Sequence, residues 1–190
     1  MSDSTRLWLT EAQAKTIVQQ AIDEAPREAC GVIGGIGERA ERTVALTNVA
    51  SDPHHFYQLD TKALDQAVRA FRADGLSLIG IYHAHPKGDP IPSPTDVKNA
   101  PHLAVSHLIV GLRHSTPHLA AWRIHHGQVE RVELHIGASA PDVRNSSPLS
   151  QAQKTAIILS ALIAVLLVLV ISLSLLPPAP VIVTATPSLP

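Results

Sequence analysis

All fifteen basic and sixteen acidic side chains of this 190-residue chain fall within residues 1–154, and none falls within 155–190. A small water-soluble domain needs charge along its whole surface, so the chain divides into two parts different in kind. Residues 155–176 contain 18 apolar residues out of 22, the other four being Thr or Ser. As a helix, a segment of that length reaches about 33 Å, against roughly 30 Å for the hydrocarbon core of a bilayer. Its apolar residues occupy every face, so it is not amphipathic. A transmembrane helix is therefore expected over 155–176, ended by Pro177-Pro178, with 177–190 as a short uncharged tail. Arg144 and Lys154 precede this helix and no basic residue follows it. The positive-inside tendency then places the large domain in the cytoplasm, on a single-pass membrane protein. Residues 138–154 are small, polar and proline-containing, as expected of a flexible linker. That leaves 1–137 as one folded domain.

Composition narrows what this domain does. A net charge of −1 with no basic block argues against nucleic acid as a partner. The single cysteine, Cys30, excludes an intramolecular disulfide and any zinc site built from several cysteines. Residues 1–10 lack the apolar core of a signal peptide. Eleven histidines are many for this length, and they direct attention to metal and acid–base chemistry.

The pattern of residues predicts an α/β domain with helices packed on a mixed sheet. Thr10 with Gln13 fits a capping box, and Ala14, Ile17, Val18, Ala21 and Ile22 follow at helical spacing. Pro26 closes that helix. Residues 30–36 and 43–49 are expected as strands about a turn at 37–42, and 56–59 as a short strand. A second helix starts at Asp60 or Thr61 and stops at Gly75. The apolar run 76–82 predicts a central strand. Residues 104–112, 119–125 and 128–135 are further strands, the last two turning at Gly127. Trp122 and Cys30 are expected to pack in the core, and Tyr82 beneath the site.

The 76–82 strand runs into His83-Ala84-His85-Pro86. Residues two apart on a strand project from the same face, so His83 and His85 share one space, as two ligands of one metal must. A turn-rich loop follows, then Ser93-Pro94-Thr95-Asp96. Ser before Pro suits a helix start, which puts Asp96 in the first turn, able to face the strand end. Two histidines and one carboxylate leave a fourth tetrahedral position for water, as in catalytic zinc sites. Taken singly, each element has a plainer reading as a surface histidine pair or a helix cap.

His-x-His, seven residues, Ser, two residues, Asp is the motif of the JAMM (MPN-plus) metallopeptidases, and the chain resembles that family in its compact prokaryotic form. The resemblance extends to Glu28 ahead of Cys30-Gly31, and to the stretch from Asn48-Val49-Ala50 through Phe56-Tyr57-Gln58-Leu59-Asp60. It implies a cytidine-deaminase-like mixed sheet. It implies one zinc ion held by His83, His85 and Asp96 with water as the fourth ligand, Glu28 as base and then acid, and the Ser93 hydroxyl beside the developing oxyanion. The implied reaction is hydrolysis of a peptide or isopeptide bond, at the C-terminal tail of a ubiquitin-like or sulfur-carrier protein. An extended tail of that kind suits strand addition at a sheet edge. Some relatives of this fold act as interaction modules, so the alternative is a non-catalytic scaffold tethered to the membrane.

Overall fold

The structure is a computed structural model, and it describes residues 6–100, 105–137, 159–160, 162–168 and 171. The chain divides into two units, Met1–Val143 and Arg144–Pro190.

In the first unit, strand β1 (Arg6–Leu9) leads into helix α1 (Glu11–Glu24). Thr10 caps α1 with a capping box: its hydroxyl accepts the Gln13 N–H, and the Gln13 side chain accepts the Thr10 N–H at 2.8 Å. Ala14, Ile17 and Ala21 form the buried stripe of α1, while Ile22, expected on the same face, is largely exposed. Strands β2 (Cys30–Ile36) and β3 (Arg39–Leu46) form a hairpin. Helix α2 (Thr61–Ala73) is capped by Asp60, and Gly75 follows it at φ +72°. Strand β4 (Ser77–His85), helix α3 (Pro94–Asn99), and strands β5 (Ser106–Gly111), β6 (His118–His125) and β7 (Gln128–Ile136) complete the domain.

The strands close into a barrel in the order β1-β3-β2-β4-β5-β6-β7. Closure depends on β1, whose four residues pair in parallel with β7 on one side and whose Trp8 pairs with Arg39 of β3 on the other. The sheet is therefore mixed, as expected, and it closes through the single pair of Trp8 with Arg39, so most of β3 is paired with β2 alone. Two boundaries also differ from expectation. β3 begins at Arg39 rather than 43, because Gly37 at φ +60° allows a tight turn directly after β2. Residues 56–59 form only an isolated bridge, Asn48 to Leu59, and no strand.

Alternation along the strands sorts side chains into two clusters. Leu7, Ile17, Ile33, Tyr82, Leu108 and Val110 pack together with α1. Val32, Phe71, Leu76 and Ile81 pack together with α2. On β4, His83 and His85 keep the phase of Ile81, so they lie on the α2 side of the sheet. Tyr82 has the opposite phase, and its hydroxyl donates to the Gln20 side chain of α1 rather than packing beneath the site.

In the second unit, residues 159–160, 162–168 and 171 are helical and exposed. Among the described residues, no helix is long and apolar enough to cross a membrane. The expected linker 138–154, the tail 177–190 and most of the expected spanning helix lie outside the described residues.

Candidate metal centre

β4 outlasts the apolar run that predicts it and carries both histidines at its C-terminal end. Cys30 pairs with His83, and Gly111 of β5 pairs with His85. The His83 ring is fully buried. The two Nε2 atoms face one another at 3.1 Å. His85 Nε2 lies 3.2 Å from one oxygen of Asp96, and His83 Nε2 lies 3.5 Å from the other. Tetrahedral ligands with metal bonds of about 2.0–2.1 Å stand roughly 3.3 Å apart. Each histidine nitrogen therefore stands close to ligand spacing from the other and from one of the two Asp96 oxygens. The tautomer of His85 suits the role: its Nδ1 sits 3.0 Å from the Asp89 carbonyl, which accepts the N–H and leaves Nε2 as the lone pair.

Asp96 reaches this point through the cap of α3. The Ser93 hydroxyl accepts the Asp96 N–H at 3.1 Å, and the Asp96 carboxylate accepts the Ser93 N–H at 2.7 Å. The sequence Ser-Pro-x-Asp thus builds a capping box whose returning side chain is also the third donor. Ser93 is half-buried, and its hydroxyl, already accepting the Asp96 N–H, retains a proton to donate.

Glu28 occupies the same space. Its carboxylate and the ring nitrogens of His83 and His85 lie within 4.8 Å of one another, and all three residues could hold a metal. The two carboxylates nevertheless differ in state. Burial works against ionisation of Asp96, but hydrogen bonds from His83, His85 and the Ser93 N–H outweigh it and hold the group far below the usual carboxylate range. Glu28 is only 6% exposed and one of its oxygens has no hydrogen-bond partner. Burial, only partly countered by His85, pushes its pKa up to about 7. Two carboxyl groups driven apart in this way are the signature of a division between permanent anion and proton carrier. The histidines also differ. Desolvation lowers the pKa of His83, whereas for His85 the Asp96 and Asp89 contacts overcome desolvation and raise it.

Several supporting contacts are not signalled by the motif. The Tyr57 ring stacks on His83 with centroids 4.2 Å apart. The Trp122 indole, expected simply as core, donates to the Pro90 carbonyl at 2.8 Å and ties down the loop that holds His85. Arg113 pairs with the Asp89 carboxylate at 3.0 Å. Gly111 is required where this loop crosses β5, since a Cβ there would lie 2.6 Å from the Pro90 ring. A cavity of about 370 Å³ opens beside Asp96, walled by Phe56, Tyr57, Leu59, Leu64 and Ile81.

Other candidates fall elsewhere. Cys30 is buried and its thiol is pushed up to about 12, chiefly by desolvation, as suits a packed strand residue. His55 pairs with Asp52 in an exposed loop, and His125 and His126 flank the β6–β7 turn. His107, on the same sheet face as Ile81, is buried without a hydrogen-bond partner and kept neutral, with its pKa lowered to about 4 mainly by burial.

The chain is similar to several known proteins. Residues 10–125 match the family described as prokaryotic homologs of the JAB domain. The chain is 47% identical over 77 residues to a Thermus thermophilus protein named as a probable TtuB-protein conjugate cleaving protease, covering 40% of this chain and 51% of that one. It thus spans about half the length of that relative. It is 35% identical over 103 residues to a Haloferax volcanii desampylase, covering 51% of this chain and 74% of the relative. It is 34% identical over 124 residues to a CysO-cysteine peptidase of Mycobacterium tuberculosis, covering 63% and 84%. A solution structure of a Desulfitobacterium hafniense protein shares the fold, with a TM-score of 0.65 and 26% identity over 73% of this chain and 98% of that one.

Proposed function

The chain belongs to the family of prokaryotic homologs of the JAB domain, and on that footing we propose that it is a metal-dependent peptidase cleaving at the C-terminal tail of a ubiquitin-like or sulfur-carrier protein. The observation that carries the reading is the pairing of an ionised Asp96 within a three-donor cluster with a buried Glu28 whose pKa is raised to about 7. His83, His85 and Asp96 hold the ion, and zinc suits two imidazoles and one carboxylate. A divalent ion there supplies Lewis-acid chemistry, acidifying water and polarising a carbonyl. Glu28 takes a proton from the attacking water as its oxygen joins the carbonyl carbon. The Ser93 O–H donates to the oxyanion that develops. Glu28 then delivers its proton to the leaving nitrogen as the C–N bond breaks, giving a free carboxylate and an amine. Tyr57 and the Asp89 carbonyl keep the two imidazoles in place throughout.

The substrate class rests on the relatives, which are named for protein conjugates or for a carrier–cysteine adduct. The cavity beside Asp96 gives room for part of an extended tail. The test is incubation of the metal-loaded protein with a ubiquitin-like protein joined through its C-terminal glycine to a lysine side chain or to cysteine. Release of the intact carrier is expected, with an unrelated unfolded polypeptide left uncut. Metal binding without cleavage of any such conjugate would favour the scaffold reading.

A membrane tether at 155–176 is the second part of the proposal. It is supported by the absence of charge there and by the exposed apolar side chains of Leu159, Leu162, Ile163, Leu166 and Ile171. Full-length protein is expected to sediment with membranes and to be released by detergent but not by carbonate; recovery in the soluble fraction would refute it.

A further inference from the structure

Asn48 lies outside the ligand set, yet its side-chain amide uses its whole hydrogen-bonding capacity on backbone that approaches the metal centre. A side-chain amide has two N–H donors and two acceptor lone pairs. The Asn48 Nδ2 group donates to the Glu28 carbonyl at 2.9 Å and to the Phe56 carbonyl at 3.1 Å. Its Oδ1 accepts the N–H of Ala50 at 3.0 Å and that of Gln58 at 3.1 Å.

The partners explain why this matters. Glu28 precedes β2 and has no ladder of its own to fix it. Its N–H donates to the Pro53 carbonyl at 2.7 Å, and its C=O is taken by Asn48, so both peptide groups are held by the segment 48–58. The carboxylate is thereby aimed from behind, while one of its oxygens remains free of hydrogen bonds. Asn48 also grips the residues on either side of Tyr57, whose ring lies on His83. One amide therefore ties the position of the proton carrier to the position of a metal ligand.

We propose that Asn48 is a positioning residue for the hydrolysis, setting the Glu28 carboxylate at its working distance from His83 and His85. The inference rests on the proposed function, because it assigns Asn48 an effect exerted through Glu28. A misplacement of a reacting group by about 1 Å costs on the order of 100-fold in rate. A residue that merely stabilised the 48–58 loop would lower thermal stability without a specific effect on turnover.

The test uses the full chain loaded with zinc and a ubiquitin-like C-terminal conjugate as substrate. Asn48→Ala is expected to lower kcat by about 10–100-fold with KM little changed, and to keep one metal per chain. Asn48→Asp retains the acceptor that holds Ala50 and Gln58 but loses the donor that reaches Glu28 and Phe56. It is expected to reproduce the loss in kcat even if the alanine variant folds poorly. In a Glu28→Gln background, either change is expected to add little, because both act on the same step. Wild-type kcat in Asn48→Asp, or a full independent loss on top of Glu28→Gln, would overturn this proposal alone. Equal turnover by wild type and Glu28→Gln would overturn the functional reading, and this one with it.

Discussion

Glu28→Gln is expected to separate activity from stability, in opposite directions. Turnover of a tail conjugate should fall by about 1,000-fold, in the middle of the range for loss of a general acid–base, while the metal content stays at one per chain. Without metal, the same substitution should make the protein more stable at pH 8. The folded-state pKa of Glu28 is raised from 4.5 to about 7. The folded state therefore holds this proton more tightly than the unfolded chain does. Its contribution to stability is complete below about pH 4.5 and is lost as the pH rises through about 7. Above that, an ionised carboxylate only 6% exposed is retained at a cost. A shift of this size corresponds to about 3 kcal/mol at most, less what the glutamine amide itself costs when buried. Thermal melts of metal-free wild type and variant should diverge by roughly 2–3 kcal/mol at pH 8 and converge below pH 5. Equal melts at pH 8 would show that burial does not strain Glu28.

Asp96→Asn should have the largest effect on metal. Asparagine can still accept the Ser93 N–H and receive the Ser93 hydroxyl cap through its own N–H, so α3 is expected to stay folded. The oxygen facing His85 would, however, lose its charge. Replacing the only ionised ligand should weaken binding well beyond the roughly 10–100-fold typical of outer partners. Metal content after dialysis should fall close to zero, and hydrolysis with it, and the metal-free protein should melt lower near neutral pH because His83 and His85 lose their anionic partner. A variant that keeps its metal stoichiometrically would remove Asp96 from the ligand set.

Much of this centre was legible in the sequence because its parts are local. The phase of a strand places His83 and His85 together, and Ser93-Pro94 dictates a helix start that turns Asp96 inward. Glu28 is a different case: 55 residues separate it from His83, and only the family resemblance pointed to it. What brings it close is the Cys30–His83 pairing of β2 with β4. The contacts of Tyr57, Trp122 and Asn48 were hidden for the same reason. Each depends on how a loop lies across the sheet, and no spacing encodes that. Barrel closure escaped because β1 has only four residues and its inward side chains, Leu7 and Leu9, give too short an alternation to stand out. The start of β3 was masked by Arg39, Glu41 and Arg42, whose charges conceal the inward Ala40.

The most direct test of the central claim is removal and return of the metal. Purified protein should carry one divalent ion per chain and cleave a ubiquitin-like C-terminal conjugate. Exhaustive chelation should abolish cleavage while the domain remains folded by circular dichroism, and stoichiometric zinc should restore it. Undiminished cleavage by protein shown to be free of metal would contradict the account.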